Sequence, residues 1–160
     1  MAVQIFMKAS DIKGGSKDSK HDAWIDIASL HAGVRQDVSN DVLKSTEGAG
    51  RPEFSRIKVR KKSDISSPYL YVACAEGKRI PEIVIEVCDS SGEKEVLVKY
   101  ICKNCLITDA HLNTEAQGDA GDAGKAQDPF EEVAFGFSWV HYSVKGGADS
   151  KYNLEKNQPE

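Results

Sequence analysis

The chain has 160 residues, with 21 Lys and Arg side chains against 25 Asp and Glu, and carries a formal net charge of −4. A chain of this length buries enough surface for one hydrophobic core, so we predict a single domain over residues 1–160. The acidic balance argues against nucleic acid as a partner. No apolar run approaches the roughly 18 residues that a membrane span requires, so membrane insertion is not expected.

Short alternating stretches occupy the start of the chain. Residues 3–8 and 23–31 are predicted strands, and a segment rich in turn formers and charge separates them. In the second strand, strict alternation puts Ser29 and His31 on the face that also carries the two isoleucines, so the strand end is semi-polar. Residues 37–53 then lose all periodicity, and a loop of this length in a compact domain is usually functional or disordered.

A run of basic side chains accompanies the next predicted strand, residues 54–60. Alternation places Arg56, Lys58 and Arg60 on one face and Ile57 and Val59 on the opposite face. We interpret the run as a solvated face. It consists of Arg56, Lys58, Arg60, Lys61 and Lys62.

Residues 66–77 have the signals of a short helix. Ser67 can cap it, Pro68 suits the first helical position, and Gly77 can supply the left-handed stop. The segment is apolar on nearly all sides, which predicts a buried helix that fills or flanks a sheet.

The middle of the chain predicts a hairpin. Residues 82–88 form its first strand, a turn follows, and residues 96–107 form the long second strand. Residues 110–129 are small and polar without periodicity, and we predict a flexible connection there.

An aromatic strand is predicted over residues 131–144. Alternation places Phe135, Phe137 and Trp139 on one face, which we expect to be core. The end of the chain is polar, and residues 155–160 are expected to fray.

Four cysteines occur in the chain, and two of them, Cys102 and Cys105, have a spacing that could suit a redox pair or half of a zinc site. Residues three apart on a strand point to opposite faces, so both thiolates could not reach one metal ion. We therefore predict reduced, buried cysteines, with no metal and no cofactor. The histidines are scattered and no glycine-rich phosphate loop is present, so no catalytic residue is predicted, although sequence leaves open a triad assembled over long range.

The elements add up to a mainly β protein of about seven or eight strands. We predict an antiparallel β-barrel of two sheets with one short flanking α-helix, and sandwich packing is the alternative.

Three segments in serial order resemble the hemolysin-coregulated protein (Hcp) family, the tube protein of type VI secretion systems. The first is the opening, from Met-Ala-Val-Gln-Ile-Phe-Met-Lys through residue 26. The second is the helix segment Ser-Ser-Pro-Tyr-Leu-Tyr-Val-Ala-Cys-Ala-Glu-Gly-Lys with Pro81 and the following strand. The third is the aromatic strand 135–142 with a Gly-rich connection and Lys151-Tyr152 after it. Where many members carry tryptophans before Gly33, this chain has Leu-His-Ala.

The resemblance implies a structural protein that is not an enzyme. Its subunits form hexameric rings that stack into a hollow tube, which a contractile sheath propels and a spike protein tips. The tube carries effectors for export. Members are released without a signal peptide, in agreement with an N-terminus that lacks signal-peptide features. The protein is therefore expected to be cytoplasmic before firing and secreted afterwards.

Two sets of site residues follow from this resemblance. The long loop at residues 37–53 is expected to make ring-on-ring contacts, and Ser29 and His31 are expected to line the pore. For His31 the alternative is a strand end at a solvated rim. The expected stacking residues are Asp37, Asn40, Asp41, Leu43, Lys44 and Glu47.

Two rival functions remain open at this level. One is a small β-barrel that binds or hydrolyses a small molecule in its interior, which the aromatic residues expected on the inward face disfavour. The other is an adhesive or pilus-like secreted subunit, which would be expected to carry an export signal.

Overall fold

The computed structural model describes residues 2–36, 50–114 and 129–160. All six expected stacking residues lie outside these ranges, as does most of the predicted connection at 110–129. The described residues form one helix, α1 Ser67–Glu76, and twelve strands. The strands are β1 Val3–Ala9, β2 Ile25–Ile27, β3 Ser29–His31, β4 Val34–Gln36, β5 Pro52–Phe54, β6 Ile57–Lys62, β7 Arg79–Asp89, β8 Val96–Asn113, β9 Phe130–Gly136, β10 Trp139–Val144, β11 Ala148–Asn153 and β12 Gln158–Pro159.

The antiparallel pairings close a circuit. β1 pairs with β7, β7 with β8, β8 with β9, β9 with β6 and β6 with β3. β3 follows β2 across the single residue Ala28, whose amide donates to the carbonyl of Arg60 at 2.7 Å, and β2 pairs with β1. The predicted antiparallel barrel with a flanking helix is therefore confirmed. β10, β11 and β12 extend from the first half of β8.

The barrel core comes from the inward positions of these strands. Along β1 and from Ile83 onward in β7 the odd-numbered residues face it, and each large side chain buried there contributes about 1.5–3 kcal/mol. The core includes Met7, Ile25, Ile57, Ile83, Ile85 and Phe135.

The outer face of β1 and β7 carries a second, smaller cluster. Phe6 on β1 is 3% exposed although it points away from the barrel core, because residues 10–24 fold back over this face. Gly14 makes that return possible, since a Cβ there would lie 2.3 Å from the carbonyl oxygen of Trp24.

The helix occupies the predicted segment, but its surroundings differ from the expectation. Gly77 ends it in the left-handed region at φ 63°, as predicted. Ser66, and not Ser67, stands at the N-cap. The prediction of a buried helix is wrong for one face, since Tyr69 and Tyr71 are each 65% exposed.

Three predicted strands break their alternation, which overturns three face assignments. At Ala28 the chain changes partner from β1 to β6, so Ser29 and His31 are exposed instead of sharing the buried face of the two isoleucines. The predicted strand 131–144 breaks between β9 and β10, so Val140 is buried and Trp139 does not join the barrel core.

The third break is at Asn104, whose positive φ of 51° lets Cys102 and Cys105 both enter the core. The expectation of opposite faces is wrong for this pair. Both thiols are free and fully buried, as the sequence predicted.

The end of the chain is folded instead of frayed. β12 pairs with β11, and the side chain of Glu160 accepts a hydrogen bond from Trp139 Nε1 at 2.6 Å. No helix among the described residues is long and apolar enough to cross a membrane.

One member of the basic run is not solvated. Lys61 has no exposed surface, because it shares the inward face of β6 with Ile57 and Val59. Its ammonium group contacts Glu131, lies 3.1 Å from Asp64 Oδ1 and donates to Ser67 Oγ at 2.9 Å. The prediction of a solvated face holds only for the even-numbered members that strand geometry sends outward.

Candidate functional site

The two expected pore residues lie together in an open groove. Ser29 and His31 project from β3 onto the outer face of the sheet that β3, β6, β9 and the end of β8 form. This groove has a volume of about 630 Å³. We call it the basic groove, and its polar walls are Ser29, His31, Arg56, Lys58, Arg60, Asp109, His111 and Glu132.

Positive charge prevails in the basic groove. Its lining contains three cationic side chains, two carboxylates and two histidines. The cations are Arg56, Lys58 and Arg60, the carboxylates belong to Asp109 and Glu132, and the histidines are His31 and His111. Arg56 lies 3.6 Å from Asp109, and the guanidinium of Arg60 stacks at 4.6 Å on the ring of Phe130. The alternation predicted for β6 is the reason that these cations share one face.

An apolar patch surrounds the exposed side of α1. Tyr69, Tyr71 and Val72 project from the helix, and Leu112 of β8 and Tyr71 line the same cleft of about 290 Å³. Ile65, just before the helix, is 62% exposed. Contiguous apolar side chains of this size on a surface mark sites of contact with other chains. We call this surface the helix patch.

The described ends of the long loop form a ribbon of their own. β4 and β5 pair with each other and belong to neither side of the barrel circuit. Arg35 Nη2 lies 2.9 Å from Glu53 Oε2 across the ribbon, and Gln36 Nε2 donates to the carbonyl of Gly50 at 2.6 Å. The ribbon therefore leads into the loop as a two-stranded stalk.

A polar cluster that the sequence did not predict lies under residues 10–24. His21 is 3% exposed, and its two ring nitrogens each lie 3.0 Å from a carboxylate oxygen, Nδ1 from Asp18 and Nε2 from Glu86. Cys88 Sγ lies 3.8 Å from the same Nε2. The groups come from segments about 65 residues apart, so no local spacing announces them; the only signal is that Glu86 and Cys88 share a strand face.

Cys88, His21 and Asp18 stand in the order of a thiol, imidazole and carboxylate triad. The geometry does not support a nucleophile, because the Cys88 side chain has no exposed surface and Nε2 is already engaged by Glu86. Burial, followed by the negative charge of Glu86, raises the pKa of the Cys88 thiol. Burial likewise raises the pKa of Cys105 to about 12 and that of Cys102 further.

The barrel, the exposed helix patch, the separate β4–β5 ribbon and the open groove together define a structural subunit that offers several surfaces for contact with other chains. A family model described as "Type VI secretion system effector, Hcp" matches residues 6–143. Protein hcp1 of Pseudomonas aeruginosa is 34% identical over an alignment of 167 positions that covers 98% of each chain.

Solved structures of other proteins share the fold. Hcp1 from Salmonella typhimurium matches with a TM-score of 0.80 at 22% identity, over 99% of this chain and 100% of that one. A structure titled as a type six secretion system protein matches with a TM-score of 0.84 at 21% identity, over 99% of this chain and 100% of that one. The chain belongs to the Hcp family of type VI secretion tube proteins. It is a tube subunit of the kind that forms stacked hexameric rings and carries effectors for export.

Proposed function

We propose that the basic groove is the surface of the tube that faces the pore and meets cargo. The observation that carries this proposal is the strand break at Ala28, which turns Ser29 and His31 away from the barrel core and into one groove with the cations of β6. Effectors with acidic surfaces fit this groove best, because its fixed cations exceed its carboxylates.

The helix patch supports a second part of the proposal, the contact between neighbouring subunits of a ring. In a ring, one surface of each subunit contacts a different surface of the neighbouring subunit, and the same contact repeats around the ring. Tyr and other large apolar side chains are enriched in the buried centre of such interfaces. We assign the helix patch to this contact.

We assign the loop that follows the β4–β5 ribbon to stacking between rings, with residues 37–53 reaching toward the next ring. The ribbon supports the assignment, since its two strands pair with each other outside the barrel circuit and lead directly into the loop. The remaining partners that we propose are the sheath around the tube, the spike protein at its tip and the exported effectors. The subunit resides in the cytoplasm until firing and is then secreted.

The cargo assignment is tested with His31→Glu, which places a carboxylate among the groove cations. Rings should form normally by negative-stain microscopy, while at least one effector should disappear from the culture supernatant of the native host, measured by quantitative proteomics. Ser19→Glu is the matched control, because it adds the same charge at an exposed position outside the groove. Normal rings with an unchanged set of exported effectors would contradict the assignment of the basic groove to cargo binding.

A further inference from the structure

We propose that His21, Glu86 and Cys88 form a binding site for Zn²⁺. The three ligand atoms, Nε2, Oε2 and Sγ, all lie within 4.8 Å of one another. Around a tetrahedral zinc ion such atoms stand about 3.4–3.6 Å apart, from the usual Zn–N, Zn–O and Zn–S lengths. The observed separations from Nε2, 3.0 Å to Oε2 and 3.8 Å to Sγ, lie on either side of that value.

The histidine is held in the orientation that a metal ligand needs. Nδ1 lies 3.0 Å from Asp18 Oδ1, and a carboxylate that accepts the Nδ1 proton leaves the lone pair on Nε2, directed at Glu86 and Cys88. The ring stacks on Phe6 with 4.1 Å between centroids, and the edge of Trp24 packs against it at 4.8 Å. This outer carboxylate is independent of the three ligands and is the arrangement typical of metal-binding histidines.

The other two ligands come from a rigid element. Glu86 and Cys88 are two residues apart on β7, so they project from the same face of the strand. β1 pairs with β7 at both positions, opposite Phe6 and Gln4. The sheet therefore fixes the backbone spacing of the two ligands before any ion arrives.

The charges around the site suit a dication. Zn²⁺ would be held by the lone pair of His21 Nε2, the carboxylate of Glu86 and the thiolate of Cys88, and the thiol proton would be released on binding. The nearby lysines contact the oxygens that are not ligands: Lys94 contacts Asp18 Oδ2, and Lys99 lies 3.6 Å from Glu86 Oε1. The mixed nitrogen, oxygen and sulfur donors favour Zn²⁺ over Mg²⁺ or Ca²⁺.

A bound ion would fasten residues 10–24 to the outside of the barrel. His21 belongs to that segment, while Glu86 and Cys88 belong to the barrel wall. Three protein ligands leave the fourth position of a tetrahedral ion to water. The proposal is independent of cargo, stacking and ring contacts.

The first test uses the wild-type protein and needs no variant. Purified full-length protein is exposed to micromolar free Zn²⁺ and measured by high-resolution native mass spectrometry. We expect one zinc per chain, and a rise in Tm of about 5–10 °C when free Zn²⁺ is one hundred times the dissociation constant. A chain that takes up no zinc and keeps its Tm overturns the proposal.

The second test identifies the ligands. Co²⁺ in place of Zn²⁺ should give the near-ultraviolet absorption of a thiolate–cobalt bond, and added Zn²⁺ should remove it. Cys88→Ser should abolish this band, and Glu86→Gln should weaken Co²⁺ binding at least tenfold. Cys74→Ser is the control and should keep the band, because Cys74 lies on α1. A band that survives in Cys88→Ser assigns the metal to other cysteines and refutes the site.

Discussion

The ammonium group of Lys61 and the carboxylate of Glu131 contact each other across the paired strands β6 and β9, and Lys61 has no exposed surface. The same ammonium lies 3.1 Å from Asp64, whose other carboxylate oxygen accepts the amide of Gly15 at 3.1 Å. Burial alone would raise the pKa of Asp64, but the hydrogen bond from Ser66 and the charge of Lys61 lower it below its ordinary value. One buried cation thus connects β6, β9, the start of α1 and residues 10–24.

Replacing Lys61 with Met should cost about 3–5 kcal/mol of unfolding free energy, because it leaves carboxylates buried without their cation. Urea unfolding followed by circular dichroism measures the loss. Lys58→Met is the matched control on the exposed face of the same strand and should stay within about 0.5 kcal/mol of wild type. If Lys61→Met and Lys58→Met unfold at the same urea concentration, the buried ion pairs of Lys61 do not stabilise the fold. Adding Glu131→Gln to Lys61→Met should restore part of the loss.

Tyr71→Glu should prevent ring assembly while the subunit stays folded. The change puts a carboxylate in the helix patch. Contact with the next subunit would bury this charge without a partner, which is energetically costly. Size-exclusion chromatography with light scattering should show a monomer in place of a hexamer. Ser19→Glu is the control, because it adds the same charge at an exposed position outside the patch. Hexamers of Tyr71→Glu would mean that the subunits meet through another surface.

Replacing residues 38–50 with Asn-Gly, which closes the β4–β5 ribbon with a two-residue turn between positions 37 and 51, should leave single rings intact but abolish stacked tubes and secretion. The ribbon register is suited to a tight turn, because β4 and β5 are already paired at its base. Electron microscopy distinguishes rings from tubes. If the shortened protein no longer forms rings, the loop belongs to the contact within a ring and its assignment to stacking is wrong.

Acid should release the end of the chain. Hydrogen bonds from Trp139 and Asn153 lower the pKa of Glu160 below its ordinary value of 4.5. A folded-state pKa below the unfolded value means that the attachment is complete above about pH 4.5 and weakens as the pH falls through the lowered pKa. Fluorescence of Trp139 in a Trp24→Phe background should report this change, and Glu160→Gln should remove it. The same acid transition in Glu160→Gln would assign it to another group.

Local pattern alone predicted most of the elements. Alternation located the strands, and Pro68 with Gly77 located the helix to within one residue at each end. These signals are local because backbone geometry ties side-chain direction to residue spacing. The same rule could have identified Lys61, which has the parity of Ile57 and Val59. The serial order of the segments was sufficient to name the family.

Tertiary structure alone decided which face a side chain takes after a strand breaks. At Ala28 the chain leaves β1 for β6, and at Asn104 a positive φ of 51° brings two cysteines into one core. A closed barrel requires its strands to bend and change partners, and each such bend inverts the alternation beyond it. For this reason Ser29 and His31 do not lie on the core face. The position of His21 beside Glu86 and Cys88 likewise follows from the tertiary fold. Contacts between residues about 65 positions apart depend on how the sheet closes, which local spacing does not encode.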